Sequence, residues 1–242
     1  ANAKERDLLL SSLAPKRLVR DAEAKVLRDA RNAIWLIEDP RNASQSLVVK
    51  QPVRLRAYKK IYQRLRPSKA RQSWNGASEL LRRGISTPRP VAFFEGRGRD
   101  AITNNFYICE MLADAIPARR FLTAYAAGAT SFEGISASDL YQQLSEFVVK
   151  MHNRGVYFRD LSSGNILIRV TDRLEFSLVD TARARFFNRP ASIFERLSDL
   201  KRLCFKMSWA HREEFTRLYM EACGRQPTVW HRLPFLFYDF KI

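Results

Sequence analysis

Three oxygen-bearing side chains stand close together in the second half of the sequence, in an order that suits work on a phosphoryl group. Asp160 opens the stretch Asp160-Leu161-Ser162-Ser163-Gly164-Asn165, and the apolar Ile166-Leu167-Ile168 follows. Asp180 closes a second apolar run, Leu178-Val179-Asp180. A carboxylate at a turn can orient a substrate hydroxyl and take its proton, while an Asn amide oxygen five positions later turns back to a magnesium ion on nucleotide phosphates. A second carboxylate at the end of the next strand can hold the metal between the β- and γ-phosphates. A base, Asp160, and two metal ligands, Asn165 and Asp180, then share one hairpin. Each of the three also reads, alone, as a turn former or a strand terminus. Lys50, at the end of Leu47-Val48-Val49-Lys50, is the candidate to grip the α- and β-phosphates from a third strand, with Lys25 as second choice.

The elements that must position these groups are legible in the hydrophobic pattern. Glu23 to Arg28, Ile34 to Glu38 and Leu47 to Lys50 are rich in Val, Ile, Leu and Trp and are separated by polar or Pro-containing stretches, which predicts an antiparallel meander. A helix is expected from about Ser68 to Arg83, stopped at Gly84 by a left-handed cap ahead of Pro88 and Pro90. Val91 to Glu95 and Phe106 to Met111 read as two more strands. After Leu112 the period changes to that of helices. Leu140, Leu144, Phe147, Val148 and Met151 share a face behind Ser138 as candidate N-cap; Ile193, Leu197, Leu200 and Cys204 form a second set, and Phe215, Leu218, Tyr219 and Ala222 a third. Strands first and helices afterwards predict an α+β protein of two lobes with a junction near Leu112 to Ala115.

Composition narrows the partners. The 242 residues are 46% hydrophobic and 28% charged, too apolar for disorder, and their longest apolar runs fall far short of the roughly 20 residues of a membrane-crossing helix. Lys and Arg number 42 against 25 Asp and Glu, a net charge of +17 that attracts phosphate-rich partners: nucleic acid, anionic lipid headgroups or phosphorylated glycans. Ten basic residues and no acidic one lie between Asp39 and Glu79. Three widely spaced cysteines, Cys109, Cys204 and Cys223, make neither a disulfide framework nor a metal cluster and fit a reducing cytoplasm; His152, His211 and His231 are likewise scattered. The amino end, Ala1 to Asp7, does not read as a secretory signal.

From about Leu47 to Leu203 these residues resemble the protein-kinase-like superfamily, and more closely the bacterial lipopolysaccharide core kinases that phosphorylate Kdo or heptose sugars. The resemblance is carried by Val48-Val49-Lys50, the Leu80 to Pro90 segment, Tyr107-Ile108-Cys109-Glu110-Met111-Leu112, the Asp160 to Asn165 loop and Asp180. It implies a two-lobed kinase-like fold, with a small antiparallel-sheet N-lobe and one main helix over residues 1–112 and a mostly helical C-lobe over residues 113–242. It also implies ATP between the lobes, its adenine bonded to backbone near Glu110, Met111 and Leu112. Several departures stand out. Phe158 takes the place of the usual loop His, Asp180-Thr181-Ala182 that of the usual Gly-containing metal motif, and neither early turn is glycine-rich. The helix acid expected to pair with Lys50 is missing near Gln72, Ser73 and Asn75; Glu79, one helical turn after Asn75, is the substitute on the same face.

The resulting expectation is an ATP- and Mg2+-dependent sugar kinase acting on lipopolysaccharide core glycolipid. In the basic stretch, Ala57-Tyr58, Ile61-Tyr62 and Leu65 interleave with Arg and Lys, which permits a basic amphipathic segment lying on the anionic inner membrane from the cytoplasmic side. The aromatic Trp230 to Phe240 tail reads as a membrane-interface anchor or, in preference, as a last helix or strand packed into the large lobe. Two other readings remain open: a RIO-like kinase or ATPase that uses the charge for ribosomal RNA, and a pseudokinase serving as a membrane or nucleic-acid binding module.

Overall fold

The computed structural model describes residues 3–14, 18, 26–29, 32–52, 67–96 and 105–226. The basic amphipathic stretch 53–66, the C-terminal aromatic tail and Lys25 lie outside the described residues. The chain divides into two compact units, one of residues 1–81 and 88–113 and one of residues 82–87 and 114–242.

The first unit is built on a five-stranded antiparallel sheet of β1 (Val26–Asp29), β2 (Asn32–Asp39), β3 (Asn42–Pro52), β4 (Pro90–Phe94) and β5 (Phe106–Glu110), in the order β1-β2-β3-β5-β4. The meander expected of the first three strands is present, and β5 completes the central pair with Leu47 opposite Glu110 and Lys50 opposite Tyr107. Strand alternation gives the sheet two covered faces. Leu47 and Val49 share one with Trp35, Phe106 and Ile108, closed by Leu9 and Leu13 from the segment around helix α1 (Ala3–Ser12). Val48, Tyr107 and Cys109 share the other, closed by Ala70, Trp74 and Ala77 of helix α2 (Lys69–Arg82). Small residues at Ala70, Ser73, Gly76 and Ala77 form the buried stripe of α2, so the helix backbone comes close to the strands. Shortly beyond it Gly84 has φ +65°, the left-handed stop that the sequence called for.

The second unit holds α3 (Ala118–Ala126), α4 (Ala137–Asn153), α5 (Ile193–Leu203) and α6 (Trp209–Ala222). Its small sheets comprise β6 (Ile116–Pro117), β7 (Ser131–Phe132), β8 (Ile135–Ser136), β9 (Val156–Tyr157), β10 (Ile166–Val170), β11 (Leu174–Leu178) and β12 (Arg185–Phe186). The helical core is apolar and aromatic: Tyr141 is fully buried and meets Tyr125 and Phe215 edge-on at 6.1 and 6.2 Å. Helix α4 starts earlier than expected, capped by Ser136 and not Ser138, because Ser136 already has an extended backbone from pairing with Ser131 and accepts the Asp139 N–H. Helix α6 buries Thr216 and Met220 beside Phe215 and Tyr219, leaving Leu218 half-buried and Ala222 exposed, a face turned from the one expected. Residues 82–87 join this unit through side chains. The Thr87 hydroxyl donates to Leu178 O at 2.6 Å, the Ser86 and Ser177 hydroxyls meet at 2.8 Å, and Leu178 N–H donates to Ser86 O.

Candidate active site

The loop that carries Asp160 is set between two anchors. Helix α4 ends at Asn153, and Gly155, at φ +72°, turns the chain into β9 beneath the carbonyls of Phe187 and Arg189. There Val156 and Tyr157 pair with Phe186 and Arg185 of β12. Chain from beyond Asp180 is thereby returned to the start of the 158–165 loop. At its other end the short turn Ser163–Asn165 feeds β10, which pairs along its full length with β11, from Ile166 opposite Leu178 to Val170 opposite Leu174. The Val179 N–H donates to Asn165 O at 2.9 Å, so Asn165 and Asp180 leave the hairpin side by side.

In the loop and at the end of the hairpin behind it the backbone departs from relaxed geometry. Arg159 has φ +67° and Asp180 φ +64°, the left-handed region that costs a non-glycine residue about 1–2 kcal/mol and that concentrates at functional sites. Asp199 of α5 opposes that cost at Arg159. Fully buried, it accepts the Phe158 N–H through Oδ2 and the Arg159 N–H through Oδ1, both at 2.8 Å. Behind it runs a buried chain of donors. Arg196 Nη1 donates to the Tyr219 hydroxyl at 3.0 Å, and that hydroxyl lies 2.7 Å from His152 Nδ1. His152 Nε2 in turn lies 3.4 Å from Asp199 Oδ2. Every partner is satisfied when His152 is neutral with its proton on Nε2. Burial pushes the His152 pKa down, with Asp199 opposing.

Asp160 presents a partly exposed carboxylate flanked by two guanidinium groups, Arg183 Nη1 at 3.3 Å from Oδ2 and Arg202 Nη1 at 3.7 Å from Oδ1. Asn165 donates its Nδ2 to Asp160 O at 2.8 Å, which commits the amide nitrogen and leaves Oδ1 as the free-facing ligand atom. An amide oxygen and a carboxylate are the hard oxygen donors that magnesium prefers, so Asn165 and Asp180 fit that ion in type. The structure thus brings Asp160, Asn165 and Asp180 together in one unit.

In the first unit, Lys50 is half-buried in the centre of the sheet and faces the α2 side, near the Cys109 thiol. Burial pushes that thiol up to about 12, and the Lys50 ammonium pulls in the opposite direction. Glu79 is the sole acid of α2 and lies half-buried beside the buried Leu80. At the end of β5, Glu110 N–H donates to Arg89 O at 2.9 Å and Met111 N–H to Ser46 O at 3.0 Å. The Glu110 carboxylate lies 3.3 Å from Arg41, which also binds the buried Asp39 at 2.6 Å. That pair closes the glycine-free β2–β3 turn, with Asp39 accepting the Arg41 N–H.

Residues 19–222 match the profile of the Lipopolysaccharide kinase (Kdo/WaaP) family. The chain belongs to that family. A 95-residue stretch is 32% identical to a 3-deoxy-D-manno-octulosonic acid kinase of Vibrio parahaemolyticus serotype O3:K6 (strain RIMD 2210633), covering 39% of this chain and 36% of that protein. The stretch therefore spans little more than a third of that relative's length. A solved structure described as WaaP in complex with acyl carrier protein aligns over 99% of this chain and 95% of its own, with a TM-score of 0.64 and 20% identity. That likeness establishes the α+β protein-kinase-like fold.

The residues that sequence reasoning missed are those that hold the loop. Asp199 lies 39 positions from Asp160, and nothing local marks it as a partner. Ser86 and Thr87 bond the end of β11 just before Asp180, a contact that neither the helix stop nor the family resemblance of their segment announces. Arg183 and Arg202 had no reading at all, because in a chain with 42 basic residues single arginines carry no signal. His152 lies at the end of α4 and is also the buried link between Tyr219 and Asp199.

Proposed function

We propose that this lipopolysaccharide kinase transfers the γ-phosphoryl group of ATP to a hydroxyl of a core sugar, Kdo or heptose, with Asp160 as the base. The observation that supports this reading is the meeting of Asp160, Asn165 and Asp180 on one loop and hairpin, in a strained backbone held by a buried carboxylate. In the reaction the acceptor oxygen forms a bond to the γ-phosphorus, the bond to the β–γ bridging oxygen breaks, ADP leaves and the hydroxyl proton passes to Asp160. Magnesium, held by Asn165 and Asp180, would neutralise charge on the phosphates. Lys50 positions the α- and β-phosphates, and Glu79 is the only carboxylate that α2 offers to orient it. Of the adenine-binding residues, Glu110 and Met111 have committed N–H groups, so the reading assigns the donor to Leu112 and leaves carbonyls to the other two. The charge of +17 supports work at the anionic inner-membrane surface, on the cytoplasmic side.

The test is phosphate transfer from labelled ATP to dephosphorylated core lipopolysaccharide. Transfer is expected with the wild type and should fall about 10²–10⁴-fold in Asp160→Ala. No transfer to acceptors of either Kdo or heptose type would overturn the reading.

A further inference from the structure

Two arginines face Asp160, one toward each carboxylate oxygen, and the pairing is loose. Elsewhere in this unit arginine–carboxylate pairs close to 2.5 Å (Arg169 to Glu175), 2.8 Å (Arg217 to Glu221) and 2.9 Å (Arg189 to Glu195). At Asp160 the separations are 3.3 Å for Arg183 and 3.7 Å for Arg202, the second beyond hydrogen-bond reach. Arg202 is under-satisfied in a further way, since its Nε is buried with no hydrogen-bond partner among the described residues. Both guanidinium groups are held near an anion that neither fully engages.

The geometry points to Arg183 and Arg202 as the receptor for the carboxylate of an acidic sugar, which would select a sugar-acid acceptor over a neutral one. This rests on the kinase reading above and adds the acceptor's chemical class. Two cations around one carboxylate leave a single positive charge, which one acceptor carboxylate neutralises. Without them an acidic sugar approaching Asp160 meets like-charge repulsion. The planar guanidinium fork suits a carboxylate, and Asp160 itself occupies that place in the free protein. As the acceptor acid draws the two forks away, Asp160 is released to meet the hydroxyl. The donor phosphates are the less suitable target. Their proposed ligands are Asn165, Asp180 and Lys50, whereas Arg202 stands on α5, which supplies none of these.

The test compares a Kdo-bearing lipid acceptor with the same acceptor after chemical reduction of its carboxyl group, using wild type, Arg183→Gln and Arg202→Gln. In the wild type, kcat/KM for the native acceptor should exceed that for the reduced one by about tenfold or more, the worth of a charge-assisted hydrogen bond. In either variant the ratio should approach one, through a rise in acceptor KM with the KM for ATP unmoved. Arg183 is half exposed, so its replacement guards against a folding defect at the more buried Arg202. With a wild type that transfers phosphate, a rise in the KM for ATP in the variants, or equal losses by the variants on both acceptors, would overturn the carboxylate assignment alone. Absence of transfer by the wild type to both acceptors would overturn the kinase reading and the assignment together.

Discussion

Asp199→Ala removes the side chain that accepts the backbone N–H groups at the start of the 158–165 loop. Two N–H groups lose a charged acceptor, that of the fully buried Phe158 and that of Arg159, each bonded at 2.8 Å. A hydrogen bond to a charged group contributes about 1.5–3 kcal/mol, so the two together represent roughly 3–6 kcal/mol. Relaxation of Arg159 from φ +67° returns about 1–2 kcal/mol of backbone strain. The net loss is then about 1–5 kcal/mol, measurable as a lower urea midpoint at unchanged slope. Asp199→Asn is the sharper probe. It keeps the shape and one acceptor oxygen but sets an amide nitrogen against the second N–H, a loss of about 1–3 kcal/mol. Because Asp160 then loses its placement, kcat should fall about 10²-fold while the KM values for both substrates stay near wild type. A variant Asp199→Ala within about 1 kcal/mol of wild type, with kcat intact, would refute the claim that this carboxylate holds the loop.

Other consequences follow from the same framework. Gly155→Ala forces an L side chain into φ +72° and against the carbonyls of Phe187 and Arg189, so a loss of at least about 2 kcal/mol is expected in thermal or urea unfolding. His152 is held neutral below its ordinary 6.5, so the unfolded chain binds its proton more readily. The contribution is present above that value and is lost as pH falls below it; His152→Gln should flatten the urea midpoint against pH between about 7 and 5. Asp39, whose pKa the Arg41 guanidinium lowers, contributes stability above the usual carboxylate range that is lost as pH falls through its lowered value. Asp39→Asn should cost about 1–3 kcal/mol at pH 7 and weaken that acid dependence, read from the same titration.

What the sequence disclosed and what it withheld divide by range. The strands Ile34 to Glu38, Leu47 to Lys50 and Val91 to Glu95, the helix ending before Gly84, and the Asp160 to Asn165 loop were legible because period, turn chemistry and spacing are local properties. Helix α1 was not, since Leu8, Leu9 and Leu10 follow one another without a helical stripe and two of the three stay exposed. Helix α3 escaped for a related reason: Phe121, Leu122 and Tyr125 are buried within only nine residues, too short a window for the period to show.

Asp199 marks the limit more sharply. In the pattern Ile193, Leu197, Leu200 and Cys204 it falls beside the apolar face, where an acid normally reads as the polar edge of a half-buried helix. The observed face instead buries Asp199, Leu200 and Leu203 and leaves Ile193 and Leu197 half-buried. That rotation is stable only if something satisfies the carboxylate, and the donors are backbone N–H groups of residues 158 and 159, whose chemistry is the same for every sequence. No side-chain type at those positions could have announced the contact. A charged residue that would have to be buried for its helix to pack is itself the signal that remains, and it points to a donor whose identity only the fold supplies. By this reasoning the 158–165 loop and the hairpin behind it are readable from the chain, while the residue that anchors the loop is readable only as an anomaly in the helix that carries it.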